Sequence, residues 1–135
     1  MSPLRPLEVF YADVEPDVAA AAVAQLKSQP IKTIRDKSAF EPWNQGLQIG
    51  YIFTEQDRAI AVEVRNPSGN DCAGLLFLPI LTDPKQAQRG MASQFPAGSF
   101  TASLDSSHSP FLSQPGALAD AIEKDAEHAT ANMSA

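Results

Sequence analysis

The chain has 135 residues, 44% of them hydrophobic, and 10 basic against 16 acidic side chains give a net charge of −6. That size suits one globular domain, and an acidic balance without a Lys/Arg cluster argues against a nucleic-acid partner. One cysteine, Cys72, excludes an intrachain disulfide, two prolines and an acid interrupt the start where a secretion signal needs an apolar run, and the longest apolar stretch, 73–81, falls far short of the roughly 20 residues of a membrane span.

The expectation is therefore a soluble protein of a reducing, cytoplasmic setting with no membrane contact. Along the chain, residues 13–28 read as a helix. Asp13 and Glu15 flank Pro16 in a first turn, and Val18, Ala19, Ala22, Val23 and Leu26 recur at helical spacing until Pro30 ends the run. Residues 31–45 are polar and irregular around Phe40, Pro42 and Trp43. Residues 47–53 are rich in β-formers and predict a buried strand, with Ala59 to Val62 starting a helix after it. Residues 99–104 alternate Phe100, Ala102 and Leu104 on one face, the period of a second strand. A closing helix follows, with Ser113 as cap, Pro115 in its first turn and Leu118, Ala119, Ile122 and Ala126 as its buried stripe. Beyond it, residues 129–135 form a fraying tail.

Asp57 lies four residues past the first strand and His108 four past the second, so an acid and a base stand beyond the C-terminal ends of two successive strands. Together they are two members of a catalytic triad. No serine has the Gly-x-Ser-x-Gly setting of a nucleophile on a strand-to-helix turn. The spacing of the pair is also unusual: one crossover between parallel strands takes roughly 20–30 residues, whereas 51 separate Asp57 from His108. The excess falls on residues 64–88, where a polar turn from Asn66, an apolar run broken by Pro79 and a second turn at Pro84 make a poor helix and a poor central strand. Two origins fit: a surface loop or lid, or translated intron sequence. Val64-Arg65 can be written GTA AGA like a splice donor, Leu81-Thr82-Asp83 resembles a branch point, and Gln88 can be CAG. The segment keeps the reading frame, and its removal leaves a spacing suited to one crossover.

The residues Tyr51-Ile-Phe-Thr-Glu-Gln-Asp57-Arg-Ala-Ile60 and Ser107-His108-Ser-Pro-Phe-Leu-Ser-Gln-Pro115 resemble the C-terminal part of α/β-hydrolases, in the branch related to plant methylesterases and hydroxynitrile lyases with fungal and bacterial members. Phe10-Tyr11-Ala12-Asp13, the helix after it and Phe40 to Trp43 resemble that branch's helical cap. The fold class this implies is α/β: a cap helix, then two parallel strands with flanking helices in an incomplete sheet. The implied divisions are a partial cap at 1–45, an acid-bearing strand and helix start at 46–63, the atypical insertion at 64–88, a histidine-bearing strand and C-terminal helix at 89–128, and the tail. The resemblance implies that Asp57 orients an imidazole, and that His108 takes a nucleophile's proton and returns it to the leaving group. It also implies a small apolar ester as substrate and no cofactor. Lacking the serine elbow, the oxyanion loop and the earlier strands, the chain reads as a truncated hydrolase that is inactive alone.

A different class of function also fits: a binding module whose strands complete a sheet with another polypeptide, or which self-associates through open edges. For individual residues the plainer readings are a turn aspartate at 57, a solvated loop histidine at 108, packing for Trp43, and turn or capping roles for Ser106, Ser107 and Ser109. A metal site is thinly supported, with His108 and His128 the only histidines and no His-Glu-x-x-His.

Overall fold

The computed structural model describes residues 5–28, 30, 32, 36, 40–59 and 84–133. The start of the helix expected after Ala59, and residues 64–83 of the expected insertion, lie outside them. The architecture is mixed α and β: two parallel strands form an open sheet flanked by helices. Strand β1 (Gly50–Thr54) pairs with β2 (Phe100–Leu104) in the register Gly50 to Phe100 through Thr54 to Leu104. Along β2, Phe100, Ala102 and Leu104 are turned inward while Thr101 and Ser103 are exposed, as the alternation predicts. Gly98, at φ 87°, takes the left-handed backbone just before β2.

Before the sheet come α1 (Pro6–Phe10) and α2 (Pro16–Ala24), which pack on each other. Glu15 caps α2: its carboxylate accepts from the backbone N–H of Asp17 at 2.9 Å and of Val18 at 3.2 Å. The helix is shorter than the spacing predicts. Of its apolar residues only Ala19 is buried and Val18 is exposed, and beyond its end Leu26 is exposed too, so among the described residues little burial offsets the entropy of further helix.

Helix α3 (Pro84–Ala92), which takes in the last five residues of the segment set apart as an atypical insertion, packs on β1. Pro84 starts it, and Gln88 is buried against the sheet. Helix α4 (Pro110–Ser113) is a single turn, and α5 (Pro115–Met133) packs on β2. In α5 the expected stripe is rotated by about one position: Ala121 is buried, whereas Ile122 is 54% exposed and Ala119 and Ala126 are also exposed. The reason is close approach. The Asp125 carboxylate lies so near Gly50 that a Cβ there would come within 2.5 Å of it, so the face turned to the sheet carries small and polar groups. The expected tail is helical to Met133, and just before it in α5 His128 Nε2 lies 2.8 Å from the Gly98 carbonyl oxygen.

Among the described residues the buried apolar set is small: Val14, Ala19, Leu104 and Ala121. A larger share of the interior is polar. Thr54, Asp57, Gln88, Ser106, Ser107 and Ser109 are all buried, and they converge at the C-terminal end of the strands. No described helix is long and apolar enough to cross a membrane.

Candidate functional site

The two strands stay in step beyond the last ladder pair. Glu55 N–H donates to the Leu104 carbonyl at 2.9 Å and Gln56 N–H to the Ser106 carbonyl at 3.0 Å, while the Gln56 amide reaches the Asp105 carboxylate at 2.9 Å. Both chains therefore leave the sheet at one level. Each then turns toward the other, and the two residues singled out by sequence meet: His108 Nδ1 is 3.0 Å from Asp57 Oδ2. A carboxylate oxygen accepts, so Nδ1 carries the hydrogen and Nε2 is left as the basic nitrogen.

Asp57 is held in a turn of its own making. Its N–H donates to the Thr54 carbonyl at 3.2 Å, Oδ1 accepts from Ala59 N–H at 2.7 Å, and Oδ2 accepts from the Thr54 hydroxyl at 3.2 Å as well as facing the imidazole. With both oxygens engaged, the buried carboxylate cannot rotate away without breaking bonds. His108 is partly exposed, its side chain 43% accessible, so the acid is sheltered while the base faces outward.

Two remote side chains secure these turns, and sequence reasoning missed both. Gln88 of α3 places its amide edge-on to Thr54: Oε1 accepts from Thr54 N–H at 3.0 Å, and Nε2 donates to Thr54 C=O at 2.8 Å. It satisfies that residue as a neighbouring strand would. Asp13 accepts from Ser107 twice, from its N–H at 2.9 Å and through a short contact with its hydroxyl. Burial alone would push the Asp13 carboxyl up, but hydrogen bonds from the Ser107 side chain and backbone and from Ser113 outweigh it and hold the group below its ordinary range. No local pattern marks either residue, since a glutamine within a helix and an aspartate before one are ordinary surface features.

An open groove of about 310 Å³ lies over the pair, lined by Asp57, His108, Thr54 and Gln88 on its polar side and by Phe111 and Leu118 among its apolar residues. Tyr51 also lines it. Burial, and secondarily the nearby Asp57 charge, raise the Tyr51 hydroxyl above the ordinary tyrosine value, so it stays a neutral donor. Phe10 packs on the imidazole with ring centroids 5.3 Å apart. Trp43 is not in the groove: it stacks on Phe95 at 6.0 Å, and Phe95 in turn meets Tyr51.

The three serines beside His108 are bonded elsewhere or buried. Ser106 donates to the Ser107 carbonyl, Ser107 to Asp13, and Ser109, though its neighbour, is buried beneath the turn. Among the described residues no cluster of three or more His, Cys, Asp or Glu could hold a metal ion. The arrangement can accept a proton at Nε2 and stabilise the resulting imidazolium through Asp57. Comparison with protein-family profiles, with curated proteins and with solved structures finds no match in any of the three.

Proposed function

We propose that this chain supplies the acid and base of an α/β-hydrolase-type site, with Asp57 orienting and His108 transferring protons during cleavage of a small apolar ester. One observation carries the reading: two residues 51 apart in sequence, each just past the end of one of two neighbouring parallel strands, meet at 3.0 Å in acid–imidazole geometry beside an open groove. The likeness of Ser107-His108-Ser-Pro-Phe-Leu to the hydrolase histidine loop supports it, as does the position of Phe10 against the imidazole, where that family's cap would lie. Cys72 as the single cysteine suits a reducing cytoplasm.

On this reading the nucleophile and oxyanion donors come from outside these 135 residues, because no Gly-x-Ser-x-Gly is among them. The chain alone then behaves as an exposed, oriented imidazole. It should cleave an activated nitrophenyl ester slowly, lose that reaction in His108→Ala but not in His128→Ala, and take no label from a fluorophosphonate. A fluorophosphonate-titratable burst, or a rate indifferent to His108→Ala, sinks the proposal.

A second reading is a binding module that completes its sheet with another chain, and exposed Leu7, Leu26, Phe111 and Ile122 favour it. Size-exclusion chromatography with hydrogen exchange separates the two. Association that protects the β1 and β2 amides supports the module, and a monomer with those amides already protected removes it.

A further inference from the structure

The segment Phe10 to Asp13 touches the histidine loop at two points, 94 residues from Ser107 in sequence. Asp13 takes both hydrogens of Ser107, from the backbone N–H and from the hydroxyl, and because Ser107 is fully buried while Asp13 is half-buried, water can compete for the contact only from the Asp13 side. The Phe10 carbonyl lies 3.3 Å from the same hydroxyl, and the Phe10 ring lies against the imidazole of His108. Ser107 is the residue immediately before His108, so a grip on its peptide fixes the direction in which the next Cα–Cβ bond leaves the chain.

We infer that Asp13 is a positioning residue for His108: by clamping Ser107 it aims the imidazole at Asp57, while the tilted Phe10 ring packs against it. This rests on the acid–base reading of Asp57 and His108. Asp13 does not line the groove, and its hydrogen bonds run to Ser107 on one side of His108 and to Ser113 beyond it, so its effect reaches the imidazole through the loop that carries it. The carboxylate suits this work because one planar group meets two donors at once, which neither an alanine nor a single hydroxyl does.

The test reads the imidazole itself. In 15N-labelled protein the ring nitrogens report which tautomer is present, and Phe10–His108 cross-relaxation reports ring placement. Wild type should show hydrogen on Nδ1, and Asp57→Asn should abolish that preference. Asp13→Ala should lower the tautomer ratio roughly fivefold or more, since about 1 kcal/mol of net positioning from the two lost Ser107 bonds is enough for that factor, and weaken the Phe10 cross-peak. Asp13→Asn, which keeps an acceptor oxygen, should fall between. Should Asp13→Ala fail to fold, Ser107→Ala removes the hydroxyl while keeping the backbone donor and should give the intermediate value. A folded Asp13→Ala, or folded Asp13→Asn and Ser107→Ala proteins, with wild-type ratio and cross-peak overturn the inference while leaving the acid–base pair standing. A wild type without the Nδ1 preference, or one whose preference survives Asp57→Asn, overturns both.

Discussion

The Asp57 carboxylate faces His108 Nδ1 at 3.0 Å with one oxygen and accepts from Ala59 N–H at 2.7 Å with the other, so one buried group both organises its own turn and meets a side chain from the adjacent strand's loop. Asp57→Ala removes the acceptor of the Thr54 hydroxyl and of Ala59 N–H together. It should cost about 2–3 kcal/mol, and Asp57→Asn, which retains an acceptor, about 1 kcal/mol. Urea unfolding at neutral pH measures both. Equal midpoints for wild type and Asp57→Ala would mean that the turn is organised by something else.

Gln88 offers a sharper test because its two bonds run in opposite directions. Gln88→Ala leaves the buried Thr54 N–H and C=O without this partner, although Asp57 N–H still reaches that carbonyl; the loss should be about 1–3 kcal/mol. Gln88→Glu keeps the acceptor but presents a carboxylate to the Thr54 carbonyl. It should be destabilised at neutral pH and recover part of the loss below about pH 4, where a protonated glutamate can donate again. A Gln88→Glu protein whose deficit does not shrink on acidification contradicts the clamp.

Asp13 predicts an acid-side dependence. Its folded-state pKa is depressed, so its contribution to stability is present above the unfolded value of about 3.9 and is lost as pH falls through the lower folded value. Between about pH 5 and pH 3 the stability advantage of wild type over Asp13→Asn should therefore shrink. Denaturant midpoints across that range give the sign directly, and an advantage that grows on acidification is the wrong sign.

Tyr51 predicts the alkaline side. Its hydroxyl is raised by burial first and by Asp57 second, so the folded state holds its proton to higher pH than the unfolded chain does. That contribution is complete below about pH 10 and is lost as pH rises through the folded value. Tyr51→Phe should flatten this alkaline decline, as thermal unfolding between about pH 9 and pH 11 can show.

Gly50 tests the close approach of α5 to β1. Gly50→Ala places a methyl within 2.5 Å of the Asp125 carboxylate, and Asp125 must swing aside. In the wild-type background this should offset the roughly 0.5–1 kcal/mol that alanine gains over glycine within a strand; in an Asp125→Ala background the gain should appear. A double-mutant cycle without coupling between the two positions rules out the contact.

The site was more legible in the sequence than the packing around it. Phe100 to Leu104 declares itself by alternation because one face is inward, and Asp57 and His108 are conspicuous as an acid and a base at matching distances past two strands. Strand β1 begins at Gly50 rather than at residue 47, since a run of β-formers does not reveal where its partner's ladder starts. In α5 hydrophobicity favoured Ile122, but the sheet lies so close that Ala121 faces it. Gln88 and Asp13 act on residues 34 and 94 positions away, and contacts so distant leave no trace in local spacing.

Thr54 turns both its N–H and its C=O to Gln88, on the edge of β1 facing away from β2. Ile52 and Gly50 face the same edge by alternation. A strand added to this edge would meet an occupied position at Thr54, one step before the acid turn. The Gln88 amide thereby closes the edge at the step nearest the acid turn, so any pairing further back along β1 would leave the carboxylate on its imidazole.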